Sequence, residues 1–179
     1  MYRALAEHRS SMRQGRTLAI SYSGELCSVL GLDSASVLEA NYPQYDMRQL
    51  PFEDESFANV VSDQVLEHVR GNPKSAIDEA FRLLEPGGVA VHTTCFINPV
   101  HDHPGDYWRF TPEALRLLCN DSEVLGAGGW GNKYVWLVDA LGMRFDPVPH
   151  SKRRLLHKLA TLDDPDWPIV TWIVARKPS

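Results

Sequence analysis

The sequence predicts a three-layer α/β sandwich around a mostly parallel sheet. Three observations carry that expectation. Short apolar runs of strand length alternate with segments of helical period, polar residues cluster directly after the runs, and Gly or Pro-Gly-Gly punctuates the returns. The clearest unit lies between Asp46 and Gly88, where an apolar run is followed at once by Asp63, Gln64, Glu67 and His68. Those four are expected at the carboxyl end of a strand, where open parallel sheets bind ligands.

The elements follow in order. Residues 1–15 read as a helix or frayed lead-in that Gly15 stops, and Thr17 to Ser21 (TLAIS) is a short buried strand. Tyr22-Ser23-Gly24 forms a turn into a helix over Glu25 to Leu30, closed by Gly31. Ser36 to Ala40 gives a second strand. Asn41 to Pro51 is too short for both a helix and another strand, so the sheet should be reduced at this edge, with a loop crossing it. Phe57 to Ser62 contains FANVV, the continuous apolar character of a central strand covered on both faces. Apolar residues at Ala76, Ile77, Ala80, Phe81, Leu83 and Leu84 make a helical stripe over Ser75 to Leu84. Pro86-Gly87-Gly88 ends it, and Val89 to Thr94 returns as a parallel strand through a right-handed crossover. Thr111 is placed to cap a helix that starts at Pro112, with Ala114, Leu115, Leu117 and Leu118 facing inward. Ser122 to Gly126 and Ile169 to Ala175 are the last strands. Between them a helix is expected over Lys133 to Leu141 and a Pro- and charge-rich excursion over Phe145 to Trp167.

Composition narrows the function. A chain of 179 residues, 44% hydrophobic and 23% charged, suits a single domain over 1–179. A net charge of -5 argues against nucleic acid or anionic lipid as a partner, since either needs a concentrated basic face, and Lys152-Arg153-Arg154 is too short to supply one. No apolar run has the length of a membrane span, and the N-terminus lacks a signal-type apolar core, so a cytoplasmic address is expected. Cys27, Cys95 and Cys119 have neither disulfide nor zinc-knuckle spacing and read as buried small side chains. A homodimer is compatible with all of this.

The segment Asn98 to Phe110 (NPVHDHPGDYWRF) follows the strand ending at Thr94 and so overhangs the same carboxyl edge. Its titratable and aromatic residues make it a candidate acceptor site for a small molecule. His101 or His103 has the chemistry of a base toward a hydroxyl, Asp106 that of a group orienting the imidazole, and Tyr107, Trp108 and Arg109 those of substrate contacts. The competing structural reading pairs Asp106 with Arg109 to hold the loop while Trp108 plugs it. His68 is either a base facing the cleft or a filler of a helix end. His101, His103 and Asp106 offer three metal ligands, but Pro104-Gly105 interrupts them, and no metal is expected.

LPFEDESFANVVSDQVLEHV followed by AFRLLEPGGVAVHTT resembles the class I S-adenosylmethionine-dependent methyltransferases, over roughly residues 17–130. The terminal TWIVARKP, about 168–176, resembles the last, antiparallel strand of that Rossmann-like fold, and NPVHDHPGDYWRFTPEALRLLC with GGWGN resembles a narrower branch of it. The resemblance implies S-adenosylmethionine as cofactor and methyl transfer to a small polar acceptor, with an oxygen of a saccharide or another metabolite preferred. It also implies a cofactor site. Ser21 and Gly24 stand in the first turn, here with one glycine and no acid; Asn41 stands where a ribose carboxylate is usual, with Glu39 on the same side of its strand. Asp46 matches the acceptor of the adenine amino group, with Met47 beside the ring, and Asp63 and Gln64 face the methionine end. The thinned glycine turn leaves a rival expectation, a methyltransferase-like binding or partner subunit without catalysis.

Overall fold

Alternation along each strand sorts the side chains onto two faces. Leu18 and Ile20 of the first strand join one core cluster and Ala19 the other; Val60 and Val61, Ala90 and Val91, and Ile173 and Val174 divide in the same way. The structure, a computed structural model, describes residues 1–101, 104–143 and 147–179. Its strands are β1 (Thr17–Ile20), β2 (Val37–Ala40), β3 (Phe57–Asp63), β4 (Leu84–Cys95), β5 (Glu123–Trp130) and β6 (Val170–Arg176), in the order β2-β1-β3-β4-β6-β5. The first four pair in parallel, while β6 runs antiparallel to both β4 and β5.

Helices cover both faces. On one side lie α1 (Tyr2–Ala6) and α2 (Gly24–Val29), which bring Leu5, Leu26 and Cys27 onto Ala19, Val61 and Val91. On the other lie α3 (Pro73–Leu83) and α4 (Pro112–Leu118), with Ala76, Ile77, Ala80, Leu83 and Leu115 over Leu18, Ile20, Val60 and Ala90. Asn72 caps α3 and Thr111 caps α4, each accepting a backbone N–H with its side-chain oxygen while Pro occupies the first turn. Burial on both faces explains why β3 reads as a continuous apolar run.

Several boundaries differ from the sequence expectation. Leu84 leaves α3 for an extended conformation, so β4 starts there and the Pro-Gly-Gly segment lies within its span as an irregularity in the pairing with β3. Leu117, expected on the inner face of α4, is 72% exposed; the inward face is made by Leu115 with Ala114 and Leu118. The strand expected to stop at Gly126 runs on to Trp130, its glycines packed against Trp172 and Pro168 of or beside β6. The helix expected over Lys133 to Leu141 is α5 (Val135–Ala140), and the excursion contains α6 (Leu155–Thr161), which the sequence did not reveal. Between Ala40 and Phe57 there is no strand or helix beyond one bridge, Asp46 to Gln49, so the sheet does stop at β2. Among the described residues no helix is long and apolar enough to cross a membrane.

Candidate functional site

Register places the strand ends side by side. Ile20 pairs with Ala40 on one side and Ser62 on the other, and Asp63 pairs with Thr93. The residues just beyond, Ser21, Asn41 and Gln64, therefore share one rim. Beneath it opens a cleft of about 780 Å³, lined among others by Ser21, Tyr22, Asp46, Met47, Gln64, His68 and Tyr107. That is the size of a cofactor or small-molecule site.

Backbone conformation marks the same rim. Ser21 (φ 52°), Tyr22 (φ 64°) and Gln64 (φ 56°) are left-handed, three of the four non-glycine residues in that region among those described. A side chain there is strained, and such strain concentrates where a ligand or mechanism holds it. The conformation is locked from three sides. Ser21 N–H donates to Ala40 O (3.0 Å), Tyr22 N–H to Asn41 Oδ1 (2.8 Å), and the Gln64 N–H and side-chain amide both to Thr93 Oγ1 (3.1 Å each). Buried Ser23 ties the turn to the central strand, donating to Ile20 O and accepting from Asp63 N–H (2.8 Å). A glycine-type turn geometry thus persists with serine and tyrosine in it.

The candidate cofactor residues do not all face the cleft in the same way. Gly24 opens α2 beside the Glu39 side chain, whose Oε1 would lie 2.7 Å from a Cβ placed there. Asn41 braces Tyr22 and donates through Nδ2 to Glu39 Oε2 (3.1 Å), so the Glu39 carboxylate is held across the turn. Asp46 is clasped by Arg48, whose Nε and Nη2 reach it at 3.0 and 2.6 Å, and these bonds hold its carboxyl below the usual range. Met47 is buried beside it. Asp63 accepts from Tyr2 OH (2.5 Å) and from Thr93 Oγ1, which ties α1 to the rim. Sequence reasoning missed Arg48, Ser23 and Tyr2. Arg48 was visible only as a cation two residues from Asp46, and Tyr2 not at all across 61 positions.

The loop over the cleft is fastened from within, as the structural reading of Asp106, Trp108 and Arg109 expects. His68 shares a hydrogen bond through Nδ1 with Gly105 O (2.6 Å), which makes Nδ1 the donor and leaves Nε2 with a lone pair. Its ring meets His101 edge-on at 4.9 Å. Asp106, its side chain 1% exposed, accepts His101 N–H (2.9 Å) and lies 3.2 Å from His101 Nδ1. Asp106 also takes a two-pronged bond from Arg109, which holds its carboxyl far below the ordinary range. Trp108 donates Nε1–H to Val69 O (2.9 Å) and stacks on Phe110. Trp108 and Arg109 thus fasten the loop, while exposed Tyr107 lines the cleft. His103 lies outside the described residues.

The chemistry of this rim suits a nucleoside-bearing ligand. Carboxylates at Glu39 and Asp46 offer hydrogen-bond acceptors, Met47 an apolar ledge, and the tight turn a close backbone approach. A family model described as a methyltransferase domain matches residues 3–92, half of the chain. A comparison with curated proteins finds no match. Among solved structures, the YcgJ protein from Bacillus subtilis superposes over 100% of both chains with a TM-score of 0.59 at 14% identity. A SAM-dependent methyltransferase from Archaeoglobus fulgidus covers 98% of this chain and 92% of its own, with a TM-score of 0.58 at 11% identity. The 4+2 cyclase SpnF covers 99% of this chain and 79% of its own, with a TM-score of 0.59 at 17% identity. At such identities these three speak for the fold. The chain belongs to the methyltransferase-domain family, with a class I, Rossmann-like fold and S-adenosylmethionine as its cofactor.

Proposed function

We propose that this protein transfers a methyl group to a hydroxyl oxygen of a small polar acceptor, a saccharide or a comparable metabolite. The observation that carries the reading is the convergence on one cleft of the left-handed rim at Ser21, Tyr22 and Gln64 and of His68, whose Nε2 is left free to accept a proton. S-adenosylmethionine, when bound, supplies an electrophilic methyl on a sulfonium.

The chain's own residues bind and orient. Met47 and Asp46 serve the adenine, Glu39 and Asn41 the ribose, and Gln64 with the Ser21–Tyr22 turn the amino-acid end. His68 takes the acceptor's proton at Nε2 as the new carbon–oxygen bond forms, and its Nδ1–H to Gly105 keeps the ring in the tautomer that can do so. Tyr107 offers a face for a sugar ring. Asp106 and Arg109 act through the loop backbone, holding His101 and the ceiling of the cleft in place.

The test is methyl transfer from labelled S-adenosylmethionine across a panel of hydroxyl-bearing saccharides and small metabolites. The reading expects labelled product with at least one acceptor, and a loss of about a hundredfold in turnover in His68→Ala with cofactor affinity kept, the usual worth of a general base. Full turnover in His68→Ala would contradict the role given to it.

A second reading has its own support. Cβ atoms stand at Ser21 and Tyr22, Asp46 is already clasped by Arg48, and Asp63 is engaged by Tyr2 and Thr93. A rim so satisfied internally suits a subunit that no longer catalyses. Titration with S-adenosylhomocysteine separates the two: micromolar binding favours the enzyme, and no heat at millimolar ligand favours the partner subunit.

A further inference from the structure

Behind the loop, away from the residues assigned to the cofactor, lies an unusual buried group. Glu67 is 0% exposed, and its Oε2 accepts from Thr94 Oγ1 (2.8 Å), but its Oε1 has no hydrogen-bond partner. A buried carboxylate oxygen left unpaired costs more than almost any other polar defect and asks for an explanation. The Cys95 thiol lies beside it. Cys95 is 1% exposed at the end of β4. The third neighbour is His101, and one ligand atom from each of Glu67, Cys95 and His101 lies within 4.8 Å of the others.

We propose that Glu67, Cys95 and His101 form a binding site for a divalent transition-metal ion, with zinc the best match. Thiolate, imidazole and carboxylate are a borderline-soft donor set that suits zinc and disfavours magnesium or calcium. Ligand atoms around tetrahedral zinc stand roughly 3.3–3.8 Å apart for bonds of about 2.0–2.3 Å, so side-chain rotation of about 1 Å closes the set.

The surroundings are organised for it. His101 Nδ1 sits 3.2 Å from Asp106 Oδ2, from Pro99 O and from Asn98 Nδ2, so polar groups brace the imidazole on its Nδ1 side, and a carboxylate behind the ring is the usual support of a metal-bound histidine. Arg109 fixes Asp106 in turn, and Thr94 fixes Glu67. Backbone N–H groups of Tyr107 and Trp108 donate to Glu67 O (2.9 and 3.2 Å), so the loop is already sewn to the residue that supplies the oxygen ligand. The ion completes this. It joins the segment after β3, the end of β4 and the overhanging loop at one point, and leaves a fourth position for water. On binding, the sulfur–metal bond replaces the sulfur–hydrogen bond of Cys95, whose proton leaves to solvent.

The site is read by metal alone, so the outcome is independent of whether the cleft methylates anything. The full-length chain, stripped with chelator, is titrated with Zn²⁺ by calorimetry and with Co²⁺ by absorption. One ion per chain is expected, with a thiolate-to-cobalt charge-transfer band in the near ultraviolet. Cys95→Ser removes the band and weakens Zn²⁺ at least tenfold, whereas Cys27→Ser and Cys119→Ser keep both. Should Cys95→Ser not fold, Glu67→Gln, which preserves side-chain size, shows the same tenfold weakening. Absence of stoichiometric binding, a cobalt spectrum without the thiolate band, or a band that survives Cys95→Ser overturns the proposal, and so does unchanged affinity in Glu67→Gln.

Discussion

Replacing Tyr22 by glycine should make this protein more stable, against the usual expectation for losing a tyrosine. Its backbone is left-handed at φ 64°, where a side chain costs roughly 1–2 kcal/mol relative to glycine. Glycine at that site adds back about 0.5–1 kcal/mol of unfolded-state entropy. Little else changes. The ring is 74% exposed, so almost no apolar burial is lost, and the N–H bond to Asn41 Oδ1 belongs to the backbone. The balance is a gain of about 1 kcal/mol at the upper end of the strain range, which for a chain of this size raises the melting temperature by about 2–4 °C. Urea and thermal unfolding of wild type, Tyr22→Gly and Tyr22→Ala measure it directly. Alanine is the control: it removes the ring but keeps the Cβ, so it should stay within about 1 °C of wild type. Glycine destabilising the fold, or alanine and glycine giving the same shift, would refute the claim that the rim stores strain at this residue.

Other expectations follow from the same geometry. Asp46→Ala should weaken S-adenosylhomocysteine binding about tenfold by calorimetry, the worth of one charge-assisted hydrogen bond. Asp106→Asn should lower stability by about 3 kcal/mol in urea unfolding, because it breaks a bidentate pair whose carboxylate is buried and leaves Arg109 without its counter-ion. Acid should destabilise the fold through His92. Burial lowers its pKa to about 4 from 6.5, so as pH falls through 6.5 the unfolded chain takes up a proton that the native ring refuses. The loss reaches up to about 3 kcal/mol by pH 4 and stops there, once the native ring also protonates. Urea midpoints at pH 7 and pH 4.5 in wild type and His92→Asn measure it: the variant should show a smaller drop, and an equal drop would assign the acid sensitivity elsewhere.

Much of the architecture was legible because β1, β3 and β4 are buried on both faces and therefore carry short apolar runs such as LAI, VV and VAV, while Asn72, Thr111 and their prolines punctuate the helices. The short segment after Ala40 was equally legible, since chain length alone forbids a further helix and strand there. What stayed hidden depends on partners distant in sequence. Glycine is the only residue that advertises a left-handed backbone, so Ser21, Tyr22 and Gln64 gave no sign of it. The clasp of Asp46 by Arg48 and the bond from Tyr2 to Asp63 are tertiary facts. α6 escaped although Leu155, Leu156, Leu159 and Ala160 recur at helical spacing, because the stripe is short and set between charged and Pro-rich residues and none of it is fully buried. The loop was half legible: its residue types pointed at once to a base and to a fastening, and the geometry displays the fastening, in which Arg109 grips Asp106 and Trp108 reaches Val69 O.

The most direct measurement is a crystal structure with S-adenosylhomocysteine, supported by calorimetry on the same protein. The account predicts micromolar binding and density for the adenine between Met47 and Asp46, the ribose against Glu39, and the amino-acid end at the Ser21–Tyr22 turn and Gln64. An empty cleft at millimolar ligand, or density elsewhere on the molecule, would contradict it.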